Sequence, residues 1–213
     1  TDLQSLGIRR WRLQKVLYDA VLDAGINVHF GKRLLDMEIE KHGPTKLIFE
    51  DDDVAYADLV FAVDGSRSAV RQMFAPFSKL EYTGVTCLMG MAEVAADDIG
   101  ICFPTSLTTK CHGCYFPTLD NEQCFQLHFP LPESLADQGN WGTLSDKVGK
   151  EECRRLAQQL EADGWDEKYL KPLSHVTHAV RIGFCQLKPK LEHWVFSKVV
   201  LVGDAAHPPV PYT

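Results

Sequence analysis

Two continuous apolar runs, each followed by small and polar residues, dominate the hydrophobic pattern of this chain. Residues 59–63 lead into Asp64-Gly65, and residues 199–202 lead into Gly203-Asp204. Such runs are typical of buried strands, and α/β proteins bind ligands at the carboxyl ends of their strands. The pattern therefore predicts two strand ends at which a ligand approaches the backbone and a carboxylate meets sugar-like hydroxyls.

The residues after the first run predict a helix start. Ser66 or Ser68 can cap the helix that follows, because serine oxygens accept hydrogen bonds from the free amide groups of a helix start. Arg71 would then lie one turn into the helix and point back towards the strand end.

A helical period marks the start of the chain. Apolar residues at 13, 16, 17, 20, 21 and 24 fall on one helix face, and Gly25 ends the run. Arg9, Arg10 and Arg12 crowd the first turn, where the helix dipole disfavours cations. Either a solvated basic helix start or a bound anion, such as a pyrophosphate, accounts for them. A strand is predicted next, over residues 26–30.

Residues 77–195 lose the alternation of helices and parallel strands, and strand-like runs dominate. We predict strands at 83–94 and 175–187, and an antiparallel pair at 107–118 and 123–129 around the turn 119–122. A helix is predicted at 149–163, with Cys153, Leu156, Ala157 and Leu160 on its inner face, and a short one at 166–172. The predicted organisation is a dinucleotide-type α/β domain at 1–76 and 196–213, with a mostly antiparallel β-rich domain at 77–195 inserted into it.

Composition and charge argue against some classes of function. The formal charge of −7 argues against non-specific nucleic-acid binding, and no apolar run reaches the roughly 18 residues that span a membrane. The seven cysteines form no regular framework, so we expect reduced thiols and a cytoplasmic enzyme. Cys111-x-x-Cys114 is compatible with a redox pair, or with half a zinc site completed by Cys124 or His128. Its predicted hairpin setting favours buried thiols without a metal.

Together the two strand-end motifs resemble those of the group A FAD-dependent aromatic hydroxylases, the para-hydroxybenzoate hydroxylase fold. The first is Asp64-Gly65-x-x-Ser68-x-x-Arg71, and the second is Gly203-Asp204-Ala205-Ala206-His207-Pro208. The family also has an Arg-x-x-Leu-x-x-x-Leu helix, which Arg10 and the residues after it match. The resemblance implies these FAD-binding residues: Arg10, Leu34, Asp64, Gly65, Ser68, Arg71, Gly203, Asp204, Ala205, Ala206, Pro208 and Pro211.

The resemblance further implies the reaction of an FAD-dependent monooxygenase. NAD(P)H reduces the flavin, O2 adds at its C4a carbon, and the resulting hydroperoxyflavin hydroxylates a small aromatic substrate such as a phenolic acid. The protein orients the ring and excludes water. Candidate substrate contacts are Tyr115, His128 and Arg181, with His178 also considered, whereas no catalytic residue is identified. The absence of a nucleophile elbow argues against a hydrolase.

Two alternatives stay open. One is a flavin epoxidase or reductase of the same fold, and the other is a truncated, non-catalytic product. The Gly-x-Gly-x-x-Gly turn with which the family begins does not occur in this sequence. We therefore expect an internal segment of a longer enzyme, which binds FAD poorly by itself. A homodimer is left open.

Overall fold

The computed structural model describes residues 7–94, 100–118, 122–136 and 141–210. The chain folds into two compact units, each built from two separate stretches of sequence. The first unit combines the chain up to Asp23 with Gly84–Phe184, and the second combines Ala24–Thr83 with the chain from Cys185 onward. The domain boundaries at 76/77 and 195/196 stay a prediction.

The first unit is built on a five-stranded sheet in the order β6-β7-β5-β9-β8. Strands β6 and β7 are antiparallel, and β7 also runs antiparallel to β5. The strands are β5 (Lys79–Ala92), β6 (His112–Pro117), β7 (Gln123–Pro130), β8 (Gly142–Thr143) and β9 (Val176–Lys188). The helices of this unit are α1 (Arg10–Asp23), α3 (Glu133–Ala136), α4 (Asp146–Ala162) and α5 (Glu167–Ser174).

One face of this sheet packs against α4 and α5 and forms the core of the unit. Leu88 of β5 and Phe125 and Leu127 of β7 are buried there together with Leu156 and Leu160 of α4. Burying each of these side chains contributes about 1.5–3 kcal/mol. The inner face predicted for α4 is confirmed for Cys153, Leu156 and Leu160, whereas Ala157 is only half-buried.

Among its described residues, the second unit has two three-stranded sheets, one α-helix and a 3-10 helix at Gly203–Ala205. Strands β1 (Leu34–Glu38), β2 (Thr45–Phe49) and β3 (Val54–Ala57) form an antiparallel sheet. The other sheet has the order β10-β11-β4, in which β10 (Val195–Phe196) is antiparallel to β11 (Val199–Leu201) and β11 is parallel to β4 (Val60–Ala62). Helix α2 (Ala69–Phe74) follows β4, and Val70, Val199 and Leu201 lie in the buried core.

The structure corrects three parts of the sequence prediction. Residues 26–30 are exposed and form no strand. The strand expected from residue 107 begins only at His112, and the turn 119–121 lies outside the described residues. Sheet β1-β2-β3 was not predicted, since its strands are short and mostly half-exposed.

Within the described ranges, no helix is long and apolar enough to cross a membrane.

Candidate functional site

The two motif turns lie side by side in the second unit. Val199, Val200 and Leu201 pair in parallel with Val60, Phe61 and Ala62. The amide of Val202 also donates to the carbonyl of Ala62, at 2.9 Å. Because parallel strands end at the same sheet edge, Asp64-Gly65 and Gly203-Asp204 leave the sheet next to one another. We call this place, formed by residues 64–68 and 203–206, the motif edge.

Hydrogen bonds at the start of α2 define the first half of the motif edge. Ser68, rather than Ser66, is the N-cap, and its hydroxyl accepts a hydrogen bond from the amide of Arg71 at 2.9 Å. The carboxylate of Asp64 accepts from the amide of Val70 at 3.2 Å. A carboxylate near a helix N-terminus is stabilised by the helix dipole.

Arg71 joins the two halves of the motif edge. Its Nη1 atom donates to the carbonyl oxygens of Ala205, at 2.9 Å, and Asp204, at 3.4 Å, and its Nη2 atom donates to the carbonyl of Ser66. The side chain is 1% exposed. Burial lowers the pKa of its guanidinium, and the nearby Asp64 carboxylate opposes that effect. The sequence placed Arg71 correctly, but its observed partners are backbone carbonyls of the second motif.

Open space in front of the motif edge fits a cofactor that approaches the backbone. Gly65 and Gly203 have φ angles of +83° and +58°, and apart from each glycine and its two chain neighbours no atom of the described chain lies within 4 Å of the position that a Cβ would occupy there. Ala205 and Ala206 are buried, whereas Asp204 is exposed. An exposed carboxylate between small residues is a suitable acceptor for the hydroxyls of a dinucleotide. The residues present therefore fit FAD.

A cavity of about 270 Å³ lies beside the motif edge, within the second unit. The rings of Trp194 and His207, whose centroids are 4.8 Å apart, contribute to its wall. Pro208 and Pro209 also line it. Pro211, the proline implied to lie near the flavin, is outside the described residues.

The two remaining FAD candidates, Arg10 and Leu34, lie in different units. Arg10 is the first residue of α1 in the first unit, and it is exposed. Leu34 begins β1 in the second unit, and its half-buried side chain packs against the core there. The family resemblance pointed to both residues, and their roles as FAD contacts stay predictions.

The structure gives Tyr115 and Arg181 partners on the helix-covered side of the five-stranded sheet. Tyr115 is fully buried, and its hydroxyl donates to the carbonyl of Tyr169 in α5 at 2.9 Å; burial raises its pKa. Arg181 forms an ion pair with Glu152 of α4, with Nε and Oε2 3.1 Å apart, and burial lowers its pKa. Both side chains thus have partners on the helices, and their roles as substrate contacts stay predictions.

His128 lies on the opposite side of the sheet from α4 and α5. Its neighbours along β7, Leu127 and Phe129, alternate with it, and its ring lies near His112, at 6.1 Å, and Phe184, at 5.4 Å. His128 is 4% exposed, and burial, followed by the neighbouring His112, lowers its pKa to about 4. We call the surface formed by His112, His128 and Phe184 the histidine face.

Sequence reasoning did not single out His112 or Phe184. His112 pairs directly with His128 in the hairpin, so counting back in register from the turn could have found it. Phe184 comes from a distant strand, and no local signal indicates its position. His178, the fourth residue considered, is exposed on β9.

The Cys111-x-x-Cys114 motif places its two sulfurs on different sides of the sheet. Cys111 is buried in the core beside α4, whereas Cys114, three residues further along an extended segment, points to the other side. Burial raises the pKa of both thiols, to about 12 for Cys111. Across the described ranges, no group of three or more His, Cys, Asp or Glu residues is arranged to hold a metal ion.

Comparison with known proteins identifies related sequences and folds. Residues 4–213 match the model of the FAD binding domain family. The monooxygenase cfoF of Aspergillus candidus is 26% identical over 219 residues, which cover 97% of this chain and 52% of that protein. The FAD-dependent urate hydroxylase of Klebsiella oxytoca is 27% identical over 188 residues, covering 86% and 45%. The chain thus spans about half the length of the curated relatives it matches.

A solved structure shares the fold. HpxO from Klebsiella pneumoniae, complexed with FAD and uric acid, gives a TM-score of 0.74 at 23% identity, over 94% of this chain and 48% of that one. The mixed α/β, FAD-binding fold class predicted from the sequence is confirmed.

Proposed function

This chain belongs to the FAD binding domain family, and from that premise we propose that its protein is a monooxygenase that uses FAD, NAD(P)H and O2 to hydroxylate a small aromatic substrate. The family resemblance inferred from the two motifs is confirmed. The two curated relatives are named as a monooxygenase and a urate hydroxylase, which supports the reaction class. The seven free thiols further support a reducing, cytoplasmic location.

The motif edge is the observation that carries the proposal. Its two turns are separated by about 130 residues, yet Arg71 holds them together through carbonyls of both motifs. This arrangement leaves Asp204 exposed and the space in front of Gly65 and Gly203 open. A backbone-lined edge with one free carboxylate suits a dinucleotide better than it suits a metal or an acyl substrate.

We assign the cofactor contacts as follows. The carboxylate of Asp204 accepts hydrogen bonds from the ribityl hydroxyls of FAD, and the guanidinium of Arg10 binds its pyrophosphate. Arg71 and Ser68 act indirectly, because their polar groups hold the turns. The full proposed set is Arg10, Leu34, Asp64, Gly65, Ser68, Arg71, Gly203, Asp204, Ala205, Ala206, Pro208 and Pro211.

When bound, FAD supplies the redox and oxygen-activating chemistry that no side chain has. The chain's own residues bind FAD, orient the substrate ring and keep water away from it. The stiff rings of Pro208 and Pro209, each of which fixes its φ angle, line the cavity beside the motif edge and limit the access of water there.

We assign substrate recognition to the histidine face. At neutral pH the imidazole of His128 is uncharged, because its pKa is lowered to about 4. A neutral imidazole can donate one hydrogen bond, to a hydroxyl or carbonyl oxygen of a planar substrate, and accept one, from a hydroxyl or ring N–H. The nearby rings of His112 and Phe184 suit aromatic stacking.

The direct test measures FAD binding by the complete protein, and then NAD(P)H oxidation in air with hydroxylated benzoates and uric acid. We expect aromatic substrates to stimulate NAD(P)H consumption and to yield hydroxylated products. Tight FAD binding without stimulation by any aromatic compound would favour the epoxidase or reductase alternative. Absence of FAD binding would refute the flavoprotein assignment itself.

A further inference from the structure

Gly7 and Arg9, which precede α1, dock on two residues of the β6–β7 hairpin, Thr118 and Glu122, within the first unit. Gly7 forms an isolated parallel bridge with Thr118, at the end of β6. A Cβ atom at Gly7 would lie 2.3 Å from the carbonyl oxygen of Pro117. Real Cβ atoms do not approach backbone oxygens so closely, so this contact requires glycine.

An ion pair completes the docking. Arg9 Nε donates to Glu122 Oε2 at 3.1 Å, and its Nη2 atom contacts both carboxylate oxygens. The side chain of Glu122 is only 13% exposed and that of Arg9 is 34% exposed. The carbonyl of Glu122 also accepts hydrogen bonds from the amide and hydroxyl of Thr118, which close the hairpin. A two-pronged arginine contact of this kind fixes direction as well as distance.

The helix that follows is exposed along most of its length. No residue of α1 is buried. Arg10, its first residue, comes directly after Arg9, so the direction of Arg10 depends on how Arg9 is held. The hairpin that holds Arg9 also carries His112 and His128, paired across β6 and β7.

We propose that Arg9 and Glu122 are positioning residues, which fix Arg10 relative to the hairpin and thereby couple FAD binding to substrate binding. The inference rests on the proposed function, because it takes Arg10 as an FAD contact and the histidine face as the substrate contact. Coupling of this kind is reciprocal: an aromatic substrate tightens FAD binding by the same factor as FAD tightens substrate binding.

The test uses Glu122→Gln in the complete protein, with FAD affinity measured by flavin fluorescence with and without whichever hydroxylated benzoate, or uric acid, stimulates NAD(P)H oxidation by the wild type. We expect FAD binding to weaken about threefold to tenfold, and the effect of substrate on FAD affinity to fall towards onefold. The charge-reversed pair, Arg9→Glu with Glu122→Arg, restores both quantities to within about twofold of the wild type.

Two control variants separate positioning from general destabilisation. Glu151→Gln removes the partner of Arg154 in an exposed ion pair on α4 and leaves FAD affinity unchanged. Leu160→Val loosens the core of the same unit and lowers the melting temperature, but it preserves the coupling between substrate and FAD.

The possible failures are distinguishable. If Glu122→Gln behaves like Glu151→Gln, or if its defect resembles that of Leu160→Val and is not rescued by charge reversal, the positioning role is wrong. If the wild-type protein binds no FAD, the proposed function fails, and this inference fails with it.

Discussion

The motif edge and the histidine face are built in opposite ways. At the motif edge, backbone amides and carbonyls carry the geometry, and the side chains with defined contacts, Asp64, Ser68 and Arg71, hold the backbone. At the histidine face, the backbone only determines which side chains point to the same side of the sheet. The rings of His112, His128 and Phe184 provide the chemistry. The comparison teaches that a cofactor site can be held by backbone turns, while a separate face of the protein relies on the rings of a few side chains.

The first prediction, which has the largest expected effect, tests whether the buried side chain of Arg71 stabilises the motif edge. Arg71→Met keeps the apolar stem but leaves three carbonyl oxygens without their buried donor. We expect the free energy of unfolding to fall by about 3–4 kcal/mol, measured by urea denaturation without FAD. Arg67→Met, at an exposed position, serves as the control and changes stability by less than about 0.5 kcal/mol. A loss below about 1 kcal/mol at Arg71 would contradict the structural role.

The second prediction concerns pH and the histidine face. The pKa of His128 is lowered from 6.5 to about 4 in the folded chain, so the unfolded chain takes up the proton first as the pH falls. The contribution of His128 is therefore complete above pH 6.5 and is lost between pH 6.5 and 4. Between about pH 7.5 and 4.5, we expect the wild type to lose about 2–3 kcal/mol more unfolding free energy than His128→Gln. Parallel stability curves for the two proteins would refute the burial of a neutral imidazole.

The third prediction separates binding from stability at the motif edge. Asp204→Ala removes an exposed carboxylate, so we expect the unfolding free energy to stay within about 0.5 kcal/mol of the wild type. FAD affinity falls about tenfold to thirtyfold, because charge-assisted hydrogen bonds to the ribityl chain are lost. Titration of flavin fluorescence in the complete protein measures the change, with Asp58→Ala as an exposed control. Equal affinities for the two variants would remove Asp204 from the site.

The smallest expected effect contrasts the two sides of the five-stranded sheet. Tyr115→Phe removes the hydrogen bond to the Tyr169 carbonyl and lowers the unfolding free energy by about 1 kcal/mol. The KM for an aromatic substrate stays unchanged in this variant, whereas His128→Gln raises it several-fold. Steady-state kinetics of the two variants check this, and a raised KM for Tyr115→Phe would place that residue in the substrate site.

Sequence reasoning worked best where chemistry depends on consecutive residues. The spacing of Asp64, Ser68 and Arg71 predicted a strand end, a helix cap and a side chain pointing back, and the structure has all three. The identity of Arg71's acceptors could not be predicted, because Asp204 and Ala205 reach it only through the parallel pairing of β11 with β4.

Sequence reasoning was weakest for residues whose role depends on which side of the five-stranded sheet they face. Tyr115, His128 and Arg181 looked equivalent as polar residues on strands, yet only His128 lies opposite α4 and α5. Helices from later in the chain cover one side of the sheet. The sequence of a strand does not show which side that is. Similarly, Arg9 looked like one of three solvated cations until its distant partner, Glu122, was known.

The distance along the chain between Arg71 and Ala205, 134 residues, has a consequence for protein synthesis. At about 5–20 residues per second, a ribosome needs roughly 7–27 s to make the intervening chain. During that interval β4 lacks its parallel partner, and the guanidinium of Arg71 lacks its later acceptors. Hairpin β6–β7 and helix α4 are complete before then. On stalled nascent chains, we therefore expect the folded first unit to resist cleavage by a protease. The incomplete motif edge is still accessible to chaperones at that stage.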